Sequence, residues 1–320
     1  MIHVDHLGKT FRVKGPSRPG WFGLRATPVD VPAVRDISFD IRPGERVAFI
    51  GPNGAGKSTT LKMLSGLLRP TSGHAEVAGF VPWKDRRRLA YAIGLVFGQR
   101  SQLWHHVPVQ QSFDLLGKIY GCSPEAYAAQ LARLTEVFDL GPLLDKPVKT
   151  LSLGQRMRCE IAASLLHQPK ILFLDEPTIG LDAVTKADVR DHLINLSARE
   201  GTTLVLTSHD TTDIEKICER VILVNGGVKL LDAPLEAMRQ RYLQRRQVVL
   251  TTEDETPALE DLPSGVTVTR ESHRLILDVD PALAPLPALI ARALERLAVV
   301  DVTVNDVPLE NVIRRIYQEG

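Results

Sequence analysis

The chain has 320 residues and a formal net charge of +1, so it is long enough for a large core and one further small domain. Because the charges nearly balance, there is no strong positive field, and we expect no nucleic acid partner. No apolar run approaches the roughly 20 residues that span a bilayer, and the strand-like start is not typical of a signal peptide. The three cysteines lack CxxC spacing, which indicates a reducing compartment.

Two strands separated by an irregular insertion are predicted for the N-terminal region. Residues 2–13 and 34–41 have the composition of strands, whereas 14–33 are rich in Gly and Pro, which break regular structure. The insertion also carries Trp21 and Phe22. These aromatics either pack onto their own domain or contact a partner, and both interpretations stay open.

A glycine-rich turn between a strand and a helix follows. The apolar run RVAFI at 46–50 predicts a strand, GPNGAGKST occupies 51–59, and leucines at helical spacing predict a helix over 57–68. Glycines let the backbone curl so that successive N–H groups point at an anion from the helix N-terminus. Lys57 and Ser58 are placed to reach the β- and γ-phosphates and Mg²⁺, which a simple connecting turn would not require.

The pattern becomes mostly helical over 84–147, and LSLGQ follows at 151–155. Ser152 and Gln155 have the spacing of a capping box. An ordinary helix N-cap would explain this pattern by itself. The helix start also offers free N–H groups, and Gly154 would permit close approach of an anion.

Acidic and imidazole groups follow two further apolar runs. ILFL at 171–174 predicts a buried parallel strand, with Asp175 and Glu176 at its carboxyl end, where open sheets bind ligands. Asp175 could hold Mg²⁺ through water, and Glu176 could act as general base, although a solvated strand end would also fit. The strand at 203–206 leads to His209, which is either structural or bonded to a γ-phosphate or water.

The C-terminal region predicts a separate small α+β domain. Residues 221–231 indicate a hairpin with Asn-Gly-Gly as its turn. After Arg246, strands are predicted at 248–250, 266–268, 275–279 and 299–304, and helices at 286–297 and 309–317. No catalytic constellation occurs there, so we expect a role in dimer contact or regulation for 247–320.

Taken together, these motifs resemble the ATP-binding cassette (ABC) family over residues 2–232, nearly three-quarters of the chain. GPNGAGKST resembles its Walker A motif, LSLGQ its signature, ILFLDEP its Walker B motif, and Gly180-Leu181-Asp182 its D-loop. The resemblance implies a P-loop NTPase α/β core at 1–238, with an antiparallel β subdomain and a helical subdomain at 84–147.

The resemblance also implies the site residues. Phe11 would stack on adenine, and Gln99, which the spacing favours over Gln102, would sense Mg²⁺ and the attacking water. The implied ATP-binding set is Phe11, Gly51, Asn53, Gly54, Gly56, Lys57, Ser58, Thr59, Ser152, Gly154, Gln155 and Asp182. The implied Mg²⁺ ligands are Ser58, Gln99 and Asp175, and the implied catalytic residues are Glu176, His209 and Gln99.

The family function implied is the ATPase subunit of a transporter at the cytoplasmic face of the membrane. It would act as a head-to-tail homodimer bound to integral membrane permease subunits. The end of the chain, from Val307 to Ile313, is similar to the tails of drug-exporter ATPase subunits, which favours export. An importer ATPase with a C-terminal regulatory domain has the same core. A soluble ribosome-acting or DNA-repair ATPase would be expected to carry a second cassette, a coiled coil or a zinc insertion.

Overall fold

The computed structural model of the chain describes residues 1–20, 23–97, 101–242, 246–255, 257–259, 262–280, 283–306 and 309–319. The chain divides into two units, Met1–Ala233 and Pro234–Gly320. None of the helices in the described ranges combines the length and apolar character that a membrane crossing requires.

One mixed sheet contains every strand described up to residue 234. Its strands are β1 (Ile2–Gly20), β2 (Gly23–Ile41), β3 (Arg46–Ile50), β4 (Ser72–Val77), β5 (Ile93–Phe97), β6 (Ile171–Asp175), β7 (Thr203–Thr207), β8 (Arg220–Asn225) and β9 (Val228–Pro234). They are arranged in the order β4-β1-β2-β9-β8-β3-β7-β6-β5. Strands β8, β3, β7, β6 and β5 are parallel, whereas β1 pairs antiparallel with β2 and β4.

Helices connect the parallel strands, as buried apolar strands require. They are α1 (Lys57–Leu64), α2 (Arg86–Ala90), α3 (Val109–Ile119), α4 (Pro124–Val137), α5 (Leu153–Leu165), α6 (Ala183–Glu200) and α7 (Thr211–Ile217). Strand β5 lies inside the range 84–147 that the sequence predicts as mostly helical. Its residues pair in parallel with β6 at the sheet edge, so β5 belongs to the main sheet. Four of its five residues are apolar, but a run this short does not distinguish a strand from a helix by periodicity.

The predicted irregular insertion at 14–33 is wrong, because β1 and β2 continue through its described residues as one long antiparallel ribbon. The pairing runs from Ile2↔Ile41 to Gly20↔Gly23. Beyond Gly8, β1 has no strand partner other than β2 in the described pairings. Prolines are tolerated in such a two-stranded ribbon because each strand has an open edge that needs no N–H donor. Trp21 and Phe22 lie outside the described residues.

The second unit has one helix that the sequence analysis did not predict, followed by the strands and helices that it predicts after Arg246. They are α8 (Leu235–Tyr242), β10 (Arg246–Thr252), β11 (Val266–Glu271), β12 (Arg274–Val279), α9 (Leu286–Arg296), β13 (Val299–Asp306) and α10 (Leu309–Glu319). The strands form an antiparallel sheet in the order β11-β12-β10-β13. The alternating apolar residues of β10 and β12 are fully buried beside α9, so this unit has its own core. The hairpin of β8 and β9 is also confirmed, with Gly226 and Gly227 at positive φ in its turn.

Replacement of Leu277 by Ala should destabilise the second unit by about 2–5 kcal/mol, because Leu277 lies in an inner strand and is 0% exposed. Leu294→Ala removes the same atoms from a side chain that is 53% exposed on α9, and should change stability far less. Hydrogen exchange of the β10–β12 amides in both full-length variants measures the difference. Equal loss of protection would contradict the assignment of this core.

Candidate functional site

A cleft of about 670 Å³ lies at the carboxyl ends of β3 and β6, on either side of β7. Nine of the predicted site residues line it: Asn53, Gly54, Gly56, Lys57, Ser58, Thr59, Asp175, Glu176 and His209. The other described lining residues are Ala33, Ala55, Lys62, Leu67, Phe97 and Ile179. Residues from two segments about 120 positions apart therefore meet because their strands are separated by only one other strand.

The glycines of the 51–59 turn are required by space and by backbone angle. A Cβ on Gly51 would lie 2.3 Å from the Val224 carbonyl oxygen, and one on Gly56 would lie 2.6 Å from that of Ala33. Gly56 also has φ of 101° and forms the N-cap of α1 without any side-chain cap. Since no acidic residue lies in the first turn, the free N–H groups and the helix dipole favour an anion. This cradle fits the phosphates of a nucleotide.

Lys57 is held over the same turn. It is 8% exposed, and its Nζ donates to the carbonyl oxygens of Gly51 (2.7 Å) and Pro52 (3.2 Å). Burial lowers the pKa of Lys57, and the charges of Glu176 and Asp175 oppose this shift. Because its hydrogen-bond acceptors are neutral carbonyls, the ammonium group gains further stabilisation from an anion bound in the cleft.

Ser58 and Asp175 supply a set of hard oxygen ligands. The Ser58 hydroxyl donates to Asp175 Oδ1 at 3.3 Å, and the Thr207 hydroxyl donates to the same oxygen at 2.6 Å. Mg²⁺ prefers oxygen ligands, takes few of them from protein, and usually completes its shell with phosphate and water. The pair therefore fits Mg²⁺ next to the phosphate cradle.

Glu176 combines backbone strain with a carboxylate oxygen that is not hydrogen-bonded. Its φ is 56°, which is uncommon for a non-glycine residue, and such strain is concentrated at active sites. Oε2 accepts from the His209 backbone N–H at 3.3 Å. Oε1 is buried 3.2 Å from His209 Nε2 but forms no hydrogen bond, so the angle at this contact is unfavourable.

Burial raises the pKa of the Glu176 carboxyl, while the neighbouring His209 and Lys57 lower it. A raised pKa makes the carboxylate a stronger base, and Glu176 lines the same cleft as Lys57. This arrangement has the properties of a general base.

Thr207 is a site residue that the sequence analysis missed. Its hydroxyl donates to Asp175 Oδ1 and accepts from the Glu176 backbone N–H at 3.2 Å, so it holds both acidic residues. Thr207 is fully buried at the carboxyl end of β7. In the sequence, Thr207 could have been found as a hydroxyl residue that ends an apolar run at the ligand-binding edge of the sheet.

The predicted signature residues do not line this cleft. Ser152 caps α5, and the capping box with Gln155 is confirmed at 3.2 and 3.1 Å. A Cβ on Gly154 would lie 2.3 Å from Thr185 Cγ2, so helix packing as well as ligand approach accounts for this glycine. Asp182 caps α6 by accepting from the backbone N–H groups of Val184 and Thr185. Their contact with ATP stays a prediction.

Phe11 and Gln99 have different outcomes. Phe11 lies on β1 opposite Val31, 37% exposed and outside the lining of the cleft, and its stacking on adenine stays a prediction. Gln99 lies outside the described residues. Gln102, the less favoured candidate for this glutamine, bonds to Glu160 on α5 through both its side chain and its backbone N–H.

The known proteins reported below as similar to this chain are ATP-binding proteins of ABC transporters. The family model described as ABC transporter matches residues 34–179. The ABC transporter ATP-binding protein NatA of Bacillus subtilis (strain 168) is 33% identical over 208 residues, or 65% of this chain and 84% of NatA. The probable multidrug ABC transporter ATP-binding protein YbhF of Escherichia coli (strain K12) is 37% identical over 62% of this chain and 34% of YbhF. The maltose/maltodextrin import ATP-binding protein MalK of Salmonella paratyphi A is 34% identical over 65% of this chain and 56% of MalK.

A similar solved structure is the dimeric post-hydrolysis state of the ATP-binding cassette MJ0796 bound to ADP and Pi. Its TM-score is 0.62 at 26% sequence identity, and the match covers 73% of this chain and 99% of that one.

Gly56→Ala should destabilise the chain more than Gly54→Ala, by at least about 1 kcal/mol. Both glycines have positive φ, so both variants carry backbone strain, but only the Cβ at position 56 meets a backbone carbonyl. Urea unfolding of the two variants beside the unchanged chain gives the difference. A loss in Gly54→Ala that equals the loss in Gly56→Ala would show that the contact with Ala33 is unimportant.

Proposed function

This chain belongs to the family of ABC transporter ATP-binding proteins, and we propose that it powers export through separate membrane permease subunits. The resemblance predicted from the motifs is confirmed, and so is the predicted fold class. The chain is an ATPase, the ATP-binding subunit of a transporter. The observation that carries this function is the cleft in which Lys57, Asp175, Glu176 and His209 meet.

ATP binding is assigned to the cradle and to Lys57. The uncapped N–H groups at the start of α1 would bind the phosphates, and Lys57 would add a positive charge to hold them. Ser58 and Asp175 would hold Mg²⁺. When bound there, the ion neutralises charge on the phosphate oxygens.

Hydrolysis is assigned to Glu176. Its buried carboxylate takes a proton from the attacking water, because a raised pKa favours accepting the proton and Oε1 is free to do so. Thr207 keeps the Glu176 backbone in place by accepting its N–H, and the His209 backbone N–H holds Oε2. The His209 imidazole, 50% exposed at its side chain, is placed to contact the γ-phosphate or the water.

The site is proposed to be complete only in a head-to-tail homodimer. Ser152, Gly154 and Gln155 lie at the start of α5 and are absent from the lining of the cleft that holds Lys57. They would therefore serve the ATP of the second copy. The dimeric state of the similar MJ0796 cassette bound to ADP and Pi supports the formation of a dimer. ATP would close the dimer and hydrolysis would release it, and this motion would move the permease subunits.

Export is favoured over import by the multidrug relative YbhF and by the similarity of the C-terminal tail to drug-exporter subunits. Import stays the alternative because MalK is of comparable identity. Extraction of membranes with detergent, followed by identification of the proteins that copurify with this chain, distinguishes export from import. We expect the chain at the cytoplasmic face of those membranes. Copurification of a solute-binding protein would support import and contradict export.

Glu176→Gln should reduce ATP turnover by about 10² or more, because the amide keeps the shape of the side chain but does not take a proton. ATP binding should persist, so the variant should accumulate as an ATP-dependent dimer. Size-exclusion chromatography with and without Mg-ATP, beside a phosphate-release assay, measures both effects. Unchanged turnover would rule out Glu176 as the base.

Ser152→Arg tests the shared site separately. Bulk and positive charge at the start of α5 should abolish the ATP-dependent dimer, also in the Glu176→Gln background. Each monomer should still bind ATP, since Ser152 does not line its own cleft. An ATP-bound dimer of the double variant would contradict the head-to-tail arrangement.

A further inference from the structure

A buried ion pair lies behind the catalytic loops. Asp213 on α7 is 0% exposed, and Arg190 on α6 is 7% exposed. The Arg190 Nε atom donates to Asp213 Oδ1 at 2.5 Å. Neither residue lines the cleft, and the sequence analysis singled out neither of them.

The second carboxylate oxygen of Asp213 connects two loops. Oδ2 accepts a hydrogen bond from the Thr178 hydroxyl and another, at 3.1 Å, from the Ser208 hydroxyl. Thr178 follows Glu176 by two residues, and Ser208 directly precedes His209. One buried carboxylate therefore joins the segment that carries the base to the segment that carries the imidazole.

Asp210 anchors the other side of the His209 loop. Its backbone N–H donates to the Ser208 hydroxyl at 3.0 Å, and its Oδ2 accepts from Lys186 Nζ on α6 at 2.7 Å. The residues on both sides of His209 are thus held, one through Asp213 and the other through α6. The His209 backbone N–H in turn holds Glu176 Oε2, so its position sets that of the carboxylate.

If the Asp213–Arg190 pair only stabilised the fold, Asp213 would need Arg190 and hydrogen-bond donors from any nearby residues. Here the donors are the two hydroxyls beside Glu176 and His209. The backbone of Glu176 is strained, and strained residues keep their conformation only where surrounding contacts enforce it. The contacts of Asp213 are of this kind.

We propose that Asp213, held by Arg190, is a positioning residue for ATP hydrolysis that orients Glu176 through Thr178 and His209 through Ser208. The proposal rests on the assigned role of Glu176 as the base. It predicts a loss in the chemical step without a loss in ATP binding, because Lys57 Nζ is held by the carbonyls of Gly51 and Pro52 and not by this network.

Thr178→Val is the sharpest test, because it removes the hydroxyl and keeps the shape of the side chain. We expect kcat to fall about tenfold or more while KM for Mg-ATP changes less than about twofold. Thr178→Ser restores the hydroxyl and should recover most of kcat. Asp213→Asn should give the same split between kcat and KM, with a larger fall in kcat.

Asp232→Asn is the matched control. Asp232 also pairs with an arginine, Arg220, at 2.8 Å, and both side chains are only partly buried, but this pair joins β8 and β9 away from the catalytic loops. Its kcat should stay unchanged. A fall in kcat in Thr178→Val no greater than that in Asp232→Asn, or an equal fall in Thr178→Ser, would overturn the proposal.

Combination with Glu176→Gln separates this proposal from the assignment of the base. If Asp213 acts through Glu176 and His209, adding Thr178→Val to Glu176→Gln should reduce turnover much less than about tenfold further. A full additional loss would contradict action through the base. Wild-type turnover in Glu176→Gln alone would instead refute the assigned base, whatever the result for Thr178→Val.

Discussion

The hydrogen bond from the Thr207 hydroxyl to Asp175 Oδ1 joins two neighbouring parallel strands, and the acidic side of the cleft depends on it. The two residues lie opposite each other in the pairing of β6 and β7. A shift of one residue in this register would turn one of the two side chains to the opposite face of the sheet. The Thr207 hydroxyl also accepts the Glu176 backbone N–H, so the position of Glu176 depends on the same pairing.

Burial acts on both charge types in the cleft. It lowers the pKa of Lys57 and raises that of Glu176, because each charged form loses hydration. An anionic phosphate chain beside Lys57 would stabilise the ammonium group and would occupy the uncapped helix start at the same time. The cleft is therefore suited to a ligand that carries concentrated negative charge, and a carboxylate of high basicity remains available next to it.

Side-chain packing explains why particular residues occur in the signature and D-loop segments, which the motifs describe only by residue type. Gly154 lies where a Cβ would collide with Thr185 of α6, so the start of α5 and the start of α6 are in close contact. Leu153 of the signature lies near Gly180, because a Cβ on Gly180 would be 3.0 Å from Leu153 Cδ2. The signature and D-loop segments therefore form one packed surface, separate from the lining of the cleft. A single chain thus presents two surfaces of different chemistry, as a shared site requires.

The phosphate cradle, Asp175, Glu176 and His209 could be predicted from the residues alone, because their chemistry is local and follows short apolar strands. The elements of the second unit after Arg246 could also be predicted, since their apolar residues alternate or repeat within a few positions. Tertiary structure decided the rest. The 14–33 segment forms a ribbon despite its prolines because both strands have open edges there, which depends on where β4 and β9, distant in the chain, stop pairing with β1 and β2. The contacts of Thr207 and Asp213 likewise depend on which strands and helices become neighbours, and no local pattern reports that.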